Sequence, residues 1–575
     1  MTKKRFGAQI ICATLEELGV STLFCMAGTQ SLPLLEALRT SGLRTIQATN
    51  ELAASFMANG YFRASGKVGV LTTIPGPGFT YAISGLAEAR MDSSALLYIA
   101  IKSLDDTTDK FQSQHLDQKA IAAHLAKSVI EITTIDTLRE SLQTAYALSL
   151  SGEPGPVMVE IDAQLFSQSF PFSHLDTIEE TFLSIDNDAV DGLTKALSAS
   201  RKTIIFAGQG CANASLALLE LAELLQAPVL MTSSGRGVIS ENHWLSLGYD
   251  CSSGATKTIN RLLDECDLIL ALGCKFSHNG TGGFSLEIPP EKLVHIDASA
   301  KVLGAHYPAS LYVQADIPTL LPKLLSKLNN FVIAPSGWTN SQIAACKAEI
   351  EDEQISTMKH APLLFNITPN KTQDFFLALN RLLPDDAILV TDSGLHQNLA
   401  RTFFSVRSAR GLVIPSDFQS MGFGLPAALG AKLAAPHRQV VLVLGDGGLV
   451  MSAMELITAV RERISITVIV FNDSSLGIIR MQQIEQYGSE FATANDGCNF
   501  RQLAESMGVS YMKLEGKLES NLRSALANPG VTMLEVPLVD SPHLAGVGRK
   551  ALAMQTIKNV LGPNILHRIK SALRR

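Results

Sequence analysis

At about 150 residues per domain, a chain of 575 residues is expected to fold as three or four domains. With 46% hydrophobic and 18% charged residues it can bury large cores, which excludes a disordered chain. A net charge of −7 gives no basic face of the kind nucleic acids need. The eight cysteines contain no C-x-x-C, so neither a zinc knuckle nor a redox pair is indicated, and reduced, buried thiols are expected. No run reaches the ~20 apolar residues of a membrane span. Glu16 and Glu17 break the first apolar stretch too early for a secretory signal. The expectation is a soluble, cytoplasmic protein.

Short apolar runs alternate with helical patterns along the whole chain. TLFCMAG, VGVLTTI and ALLYIAIK read as buried strands, with helical stretches such as SLPLLEALRTS between them, and PGPVMVEI (154–161) closes this unit. Residues 168–190 are polar and irregular and read as a linker. A second unit follows, with strands TIIFAGQG, APVLMTSS, LILALGCK and KLVHIDAS, ending near Leu328. Residues 330–365 hold Pro335, Gly337 and Pro362 around the charged helical patch KAEIEDEQ and read as a second linker. The third unit has strands AILVTDSG, QVVLVLGDGG, ITVIVFND and VTMLEVPL. Such alternation predicts an α/β chain of three domains, each a doubly wound parallel sheet. The boundaries are 1–167, 190–328 and 366–540, followed by a tail over 541–575. The last twenty residues of the tail form a basic amphipathic pattern, read as a docking helix, with membrane-surface contact as the alternative.

Two strands of the third unit end in acidic residues. One runs into Gly445-Asp446-Gly447-Gly448 and the other into Asn472-Asp473-Ser474-Ser475. In parallel sheets that edge is where ligands bind. A hard divalent cation wants oxygen donors in an octahedron. Asp446 and Asp473 offer carboxylates, the loop at Ser475 offers a carbonyl, and a bound diphosphate and water can complete the set. Gly445, Gly447 and Gly448 allow backbone N–H groups to approach phosphate, and the helix N-terminus that follows favours an anion.

These residues resemble the signature of the thiamine-diphosphate-dependent enzymes, in which G-D-G is followed some two dozen residues later by N-N. The spacing of 27 between Asp446 and Asp473 fits, although Asp473 stands where the family carries Asn and adds a negative charge. The segment Asn50-Glu51 through Gly66 resembles the block around the family's essential glutamate. Pro75-Gly76-Pro77-Gly78 fits its G-P-G turn, and Ala27-Gly28-Thr29 with Leu32 to Leu35 fits its substrate-side loop. Asp392 to Gln397 lies where the diphosphate-contacting loop lies, and Phe418 to Pro426 resembles the acetolactate synthase segment that keeps the cofactor bent.

The resemblance implies Glu51 as the cofactor-activating acid and Met421 as the wedge between the cofactor's rings. It implies cofactor contacts from Gly28, Gly78, Gly394, Leu395, His396, Gln419, Gly445, Gly447 and Gly448, and Mg²⁺ at Asp446, Asp473 and Ser475. Gln114 takes the active-site glutamine position when counted from Lys127, whereas the Phe111-Gln112 dipeptide would select Gln112; His115 is a candidate proton donor. The implied activity is decarboxylation of a 2-oxo acid with ligation to a second carbonyl compound. The implied assembly is a homodimer or homotetramer with active sites shared between the first domain of one subunit and the third of another. Gln482 replaces the Trp of biosynthetic acetohydroxyacid synthases, which leaves the 2-oxo acid open. The middle domain, with Gly208-Gln209-Gly210 and Gly235-Arg236-Gly237, is compatible either with FAD, as in some relatives, or with no ligand. A simple decarboxylase or C–C lyase is the alternative within the cofactor class. A non-catalytic regulatory homologue, supported by Asp473 alone, is the alternative outside it. No G-x-G-x-x-G opens a helix with an acidic residue ~20 further on, which disfavours a nicotinamide dehydrogenase.

Overall fold

The computed structural model describes residues 4–103, 113–172, 183, 185–248 and 254–561. Three mostly parallel sheets carry it, and the chain is α/β throughout. The first has six strands in the order Arg44–Gln47, Thr22–Cys25, Gly69–Thr73, Leu96–Lys102, Pro156–Asp162, Ser128–Ile132. The second has five, in the order Val229–Met231, Thr203–Ala207, Leu268–Leu272, Leu293–Asp297, Leu311–Gln314. The third has seven. From Leu363–Leu364, its only antiparallel strand, it runs through Val531–Val539, Ile466–Asn472, Val440–Gly445 and Ile388–Thr391 to Leu412–Val413, and Ser510–Lys513 also pairs with Val531–Val539. Central strands are buried along nearly their full length, so they read as continuous apolar runs rather than alternating ones.

In each sheet one pair of neighbouring strands sends its following connections in opposite directions, and the winding reverses between them. The reversal lies between Thr22–Cys25 and Gly69–Thr73, between Thr203–Ala207 and Leu268–Leu272, and between Ile388–Thr391 and Val440–Gly445. At such switch points the loops leaving two neighbouring strands diverge and open a crevice beyond their carboxyl ends.

The first and third sheets share a core. The helix Glu51–Ser65 of the first unit lies against Gly424–Ala434 of the third, and a single buried cluster joins Phe56, Met57 and Tyr61 to Phe423, Leu425 and Ala428. The helices touch backbone to backbone. A Cβ added at Gly60 would lie 2.1 Å from the Ala427 carbonyl oxygen, and one at Gly430 would lie 1.9 Å from that of Met57. Asn50 starts the first helix by accepting from the Ala53 N–H at 2.8 Å, and Gly66, at φ +76°, ends it.

The second linker differs from its sequence reading. Residues Asn340–Thr357 form an 18-residue helix whose Ile343, Cys346 and Ile350 join the core of the middle sheet, so that unit's packing extends well past Leu328. In the first linker, Ser169–Pro171 pairs antiparallel with Lys4–Phe6, while 173–182 and 184 lie outside the described residues. The tail begins as the helix Pro542–Leu561; residues 562–575 lie outside the described part. Among the described residues, no helix is long and apolar enough to cross a membrane.

Candidate active site

The first sheet's crevice holds Glu51. It is the first residue of its helix and is 7% exposed. Gly78 faces it so closely that an added Cβ would lie 3.0 Å from Glu51 Oε1 and 2.7 Å from Ile74 Cγ1. Gly28 packs on the same Ile74, where a Cβ would come within 2.4 Å. Both glycines are therefore required by close approach. The turn between them is fastened by Gln118: its Oε1 accepts from the Gly76 N–H at 3.1 Å, and its Nε2 donates to the Ile101 carbonyl and to Glu160 at 2.9 Å. Gln114 lies on the Gly76 turn, with φ +62°, and its Oε1 accepts from Gln30 Nε2 at 2.5 Å. His115 is exposed, with Nδ1 3.3 Å from Ser103 Oγ. Phe111 and Gln112 lie outside the described residues.

The third sheet's crevice gathers the other candidates. Asp392, at the end of Ile388–Thr391, is fully buried and accepts from the N–H groups of Ser393 (2.7 Å), Gly422 (3.0 Å) and Gly424 (2.9 Å). Burial pushes its carboxyl up to about 6 against those bonds. This one side chain ties the 392–395 loop to the residues on either side of Phe423. His396 donates from Nε2 to the Asp392 carbonyl at 2.9 Å, and burial pushes it down to about 4, so the ring is neutral near pH 7. Gly394, at φ +146°, precedes the helix that Leu395 opens. Gln419, at φ +64°, donates to the Ser416 carbonyl at 2.6 Å and accepts from Ser393 Oγ at 3.2 Å. Met421 is 38% exposed, and its Cε lies 3.5 Å from where a Gly447 Cβ would stand. Gly445 leaves room for the His396 ring and Gly448 for the Asp392 carboxylate.

Asp446 and Asp473 extend from adjacent parallel strands. Burial raises the Asp446 carboxyl to about 6, and the charge of Asp473 adds to the rise; Asp473 is also raised, chiefly by burial. Ser475 is buried and directs its N–H at Asp473 Oδ1, at 3.2 Å. Gly477 leaves room for the Asp473 carboxylate, since a Cβ there would come 2.3 Å from Asp473 Oδ2 and push it aside. Asn472 is held from behind by Glu535, which also accepts from the Tyr511 hydroxyl. Among the described residues, no three His, Cys, Asp or Glu side chains form a metal cage. A cation here must therefore take much of its oxygen shell from backbone, water and a bound phosphate, as the donor set allows.

Several residues that shape the two crevices carry no local motif. Asn495 Nδ2 donates to Asp446 Oδ2 at 2.8 Å. The buried pair Arg63–Asp92 (3.0 Å) and Glu88 anchor the loop that carries Gln419 and Met421, through the Ser416 N–H to Asp92 at 3.1 Å and the Ser420 N–H to Glu88 at 2.9 Å. A cavity of about 760 Å³ opens at the middle sheet's switch point, lined among others by Gln209, Gly210, Lys275, Asn279, Asp297 and Arg410.

A fold of three doubly wound sheets with this pair of crevices is that of the thiamine pyrophosphate (thiamine diphosphate) enzymes. Residues 5–121 match the N-terminal TPP binding domain of that family, 190–324 its central domain and 392–536 its C-terminal TPP binding domain. The chain is 30% identical over 555 residues to the acetolactate synthase large subunit of Lactococcus lactis subsp. lactis IL1403, covering 95% of this chain and 94% of that one. It is 29% identical over 545 residues to the acetolactate synthase isozyme 1 large subunit of Escherichia coli K12, covering 93% and 94%. To the chloroplastic acetolactate synthase 1 of Nicotiana tabacum it is 27% identical over 563 residues, covering 94% and 83%. The chain belongs to the thiamine-diphosphate-dependent enzyme family and is acetolactate synthase-like.

Proposed function

We propose that the protein decarboxylates a pyruvate-like 2-oxo acid and ligates the product to a second carbonyl compound, using thiamine diphosphate and Mg²⁺. The observation that carries the reading is the pair Asp446 and Asp473, on adjacent parallel strands beside a glycine-lined switch point. Asp446, Asp473 and the Ser475 carbonyl would hold Mg²⁺, and Gly445, Gly447, Gly448 and the Gly394–His396 turn would line the diphosphate. Gln419 and Met421 would flank the rings, and Gly28 and Gly78 the pyrimidine.

When bound, the cofactor supplies a carbon nucleophile and an electron sink for loss of CO₂. The chain's own task is placement and proton control. Glu51, buried beside Gly78, would hydrogen-bond the aminopyrimidine ring. Met421, half-exposed at the crevice, would present an apolar surface to the cofactor's rings. Alignment of this kind is worth up to about 7–11 kcal/mol of barrier. Gln114, against the Gly76 turn, and the exposed His115 would orient the 2-oxo acid.

Glu51 and the Asp446 cluster stand on different sheets, and the helices that follow Gly445 expose an apolar band of Val450, Met451, Met454 and Ile457. That band supports a homodimer or homotetramer in which the first unit of one subunit completes the third unit of another. The cavity at the middle sheet supports FAD as a further ligand, and flavin absorbance in the purified protein tests it.

The activity is tested by supplying a panel of 2-oxo acids with thiamine diphosphate and Mg²⁺ and measuring CO₂ and products together. Acetolactate from pyruvate is the expected outcome; acetaldehyde alone would mean a simple decarboxylase. Glu51→Gln is expected to bind the cofactor yet lose at least a hundredfold in turnover. Near-wild-type turnover ends the assignment of Glu51, and calorimetry showing no cofactor binding by the wild type points to a non-catalytic homologue.

A further inference from the structure

The segment 493–495 crosses the metal-side loop as a short antiparallel cover. Ser475 and Ala494 form a β-bridge, the Leu476 N–H donates to the Thr493 carbonyl at 2.8 Å, and the Asn495 N–H donates to the Ser474 carbonyl at 2.9 Å. These backbone bonds place the Asn495 side chain over Asp446, where Nδ2 donates to Oδ2 at 2.8 Å, next to Gly447. An octahedral Mg²⁺ site takes one oxygen from each of a few carboxylates, and a carboxylate free to rotate can chelate through both. The amide occupies Oδ2 of Asp446, so a cation would be taken through Oδ1.

The charge at the site gives this bond its work. Asp446 and Asp473 end adjacent strands and share the crevice, where two like-charged side chains repel and tend to swing apart. A neutral amide donor on Asp446 resists that swing without adding a cation that would compete with the metal.

We infer that Asn495 is a positioning residue of the metal–diphosphate site, fixing the Asp446 carboxylate in one pose through Oδ2 against the repulsion of Asp473. The inference rests on the proposed reading of Asp446 and Asp473 as metal ligands. Hydrogen bonds to metal ligands of this kind are typically worth about 10–100-fold in metal affinity.

The test is a double-mutant cycle read by metal binding. Mn²⁺ is titrated by electron paramagnetic resonance, and Mg²⁺ by calorimetry, into wild type, Asn495→Ala, Asp473→Asn and the double variant, each with saturating thiamine diphosphate. Asn495 is half-buried, and its backbone bonds do not depend on the side chain, so truncation leaves the cover in place. Asn495→Ala is expected to weaken both metals at least tenfold in the wild-type background and less than threefold in the Asp473→Asn background, where the repulsion is gone. Metal affinity unchanged by Asn495→Ala, or lost by the same factor in both backgrounds, overturns the inference while leaving the metal site standing. Failure of the wild type itself to bind Mn²⁺ with the cofactor present overturns the reading of the site, and the inference with it.

Discussion

Gly60→Ala tests whether the contact between the first and third units sets the position of Glu51, the proposed cofactor-activating acid. The added methyl would stand 2.1 Å from the Ala427 carbonyl oxygen and 2.7 Å from Ala427 C and Cα. All three are backbone atoms of a packed helix and cannot rotate aside. The helices Glu51–Ser65 and Gly424–Ala434 must separate by about 0.9 Å before the shortest contact reaches even 3.0 Å. Overpacking of a rigid core costs about 1–3 kcal/mol, and two backbones in contact put this case at the upper end. The functional loss is expected to be larger, because Glu51 begins one of the displaced helices and the Met421 loop runs into the other. A misplacement of about 1 Å can cost 10²-fold in rate. Turnover on the preferred 2-oxo acid and the half-life of thermal inactivation are the two readouts. Gly192→Ala is the control: its helix position has open space around the site of the methyl. Replacing an interior helix glycine there is expected to stabilise by up to about 1 kcal/mol. Wild-type turnover and wild-type half-life in Gly60→Ala would refute the argument.

Asp392→Ala leaves three backbone N–H groups without their acceptor, at a cost of about 1–3 kcal/mol for each of the two buried ones, and frees the 392–395 loop from Gly422 and Gly424. Affinity for thiamine diphosphate, measured calorimetrically at fixed Mg²⁺, is expected to fall at least tenfold, and an unchanged value would show that the loop is held by other means. Glu88 has its carboxyl pushed up to about 8 by burial, with the charge of Asp92 adding to the rise. Its folded value lies above its unfolded one, so its contribution to stability is complete below about pH 4.5 and is lost as pH rises through about 8. Glu88→Gln, which keeps an acceptor for the Ser420 N–H, is expected to flatten the fall in melting temperature between pH 5 and 8; a slope identical to wild type counts against a protonated Glu88.

The strands legible in the sequence are those buried on both faces. VVLVL, ITVIVF and LLYIAIK each sit between two neighbours and are almost wholly apolar and buried. The strands that escaped are short or lie at sheet edges. Arg44–Gln47, Ser128–Ile132 and Leu311–Gln314 each have one partner, show mixed exposure and contain charged or polar residues that read equally well as loop. The helix Asn340–Thr357 was visible only as a charged patch, because it docks on the middle sheet through a sparse row of Ile343, Cys346 and Ile350. Propensity cannot say what such a row will meet.

The same distinction separates the site residues that could be read from those that could not. Asp446 and Asp473 advertise themselves because strand, glycine turn and acid are contiguous, so chemistry and local geometry share one stretch of chain. Asn495 acts on a residue 49 positions away, Gln118 on a turn 42 positions away and Asp92 on a loop 324 positions away. Each of these supporting contacts is a single hydrogen bond, and any Asn, Gln or Asp on a loop could make one. The contacts acquire meaning only from the fold that closes the distance. Variation among related enzymes that share the visible motif should therefore concentrate in these supporting positions. Transplanting Asp473 into a relative that carries Asn there, without an amide donor over its first aspartate, is expected to weaken Mg²⁺ binding rather than merely alter its selectivity.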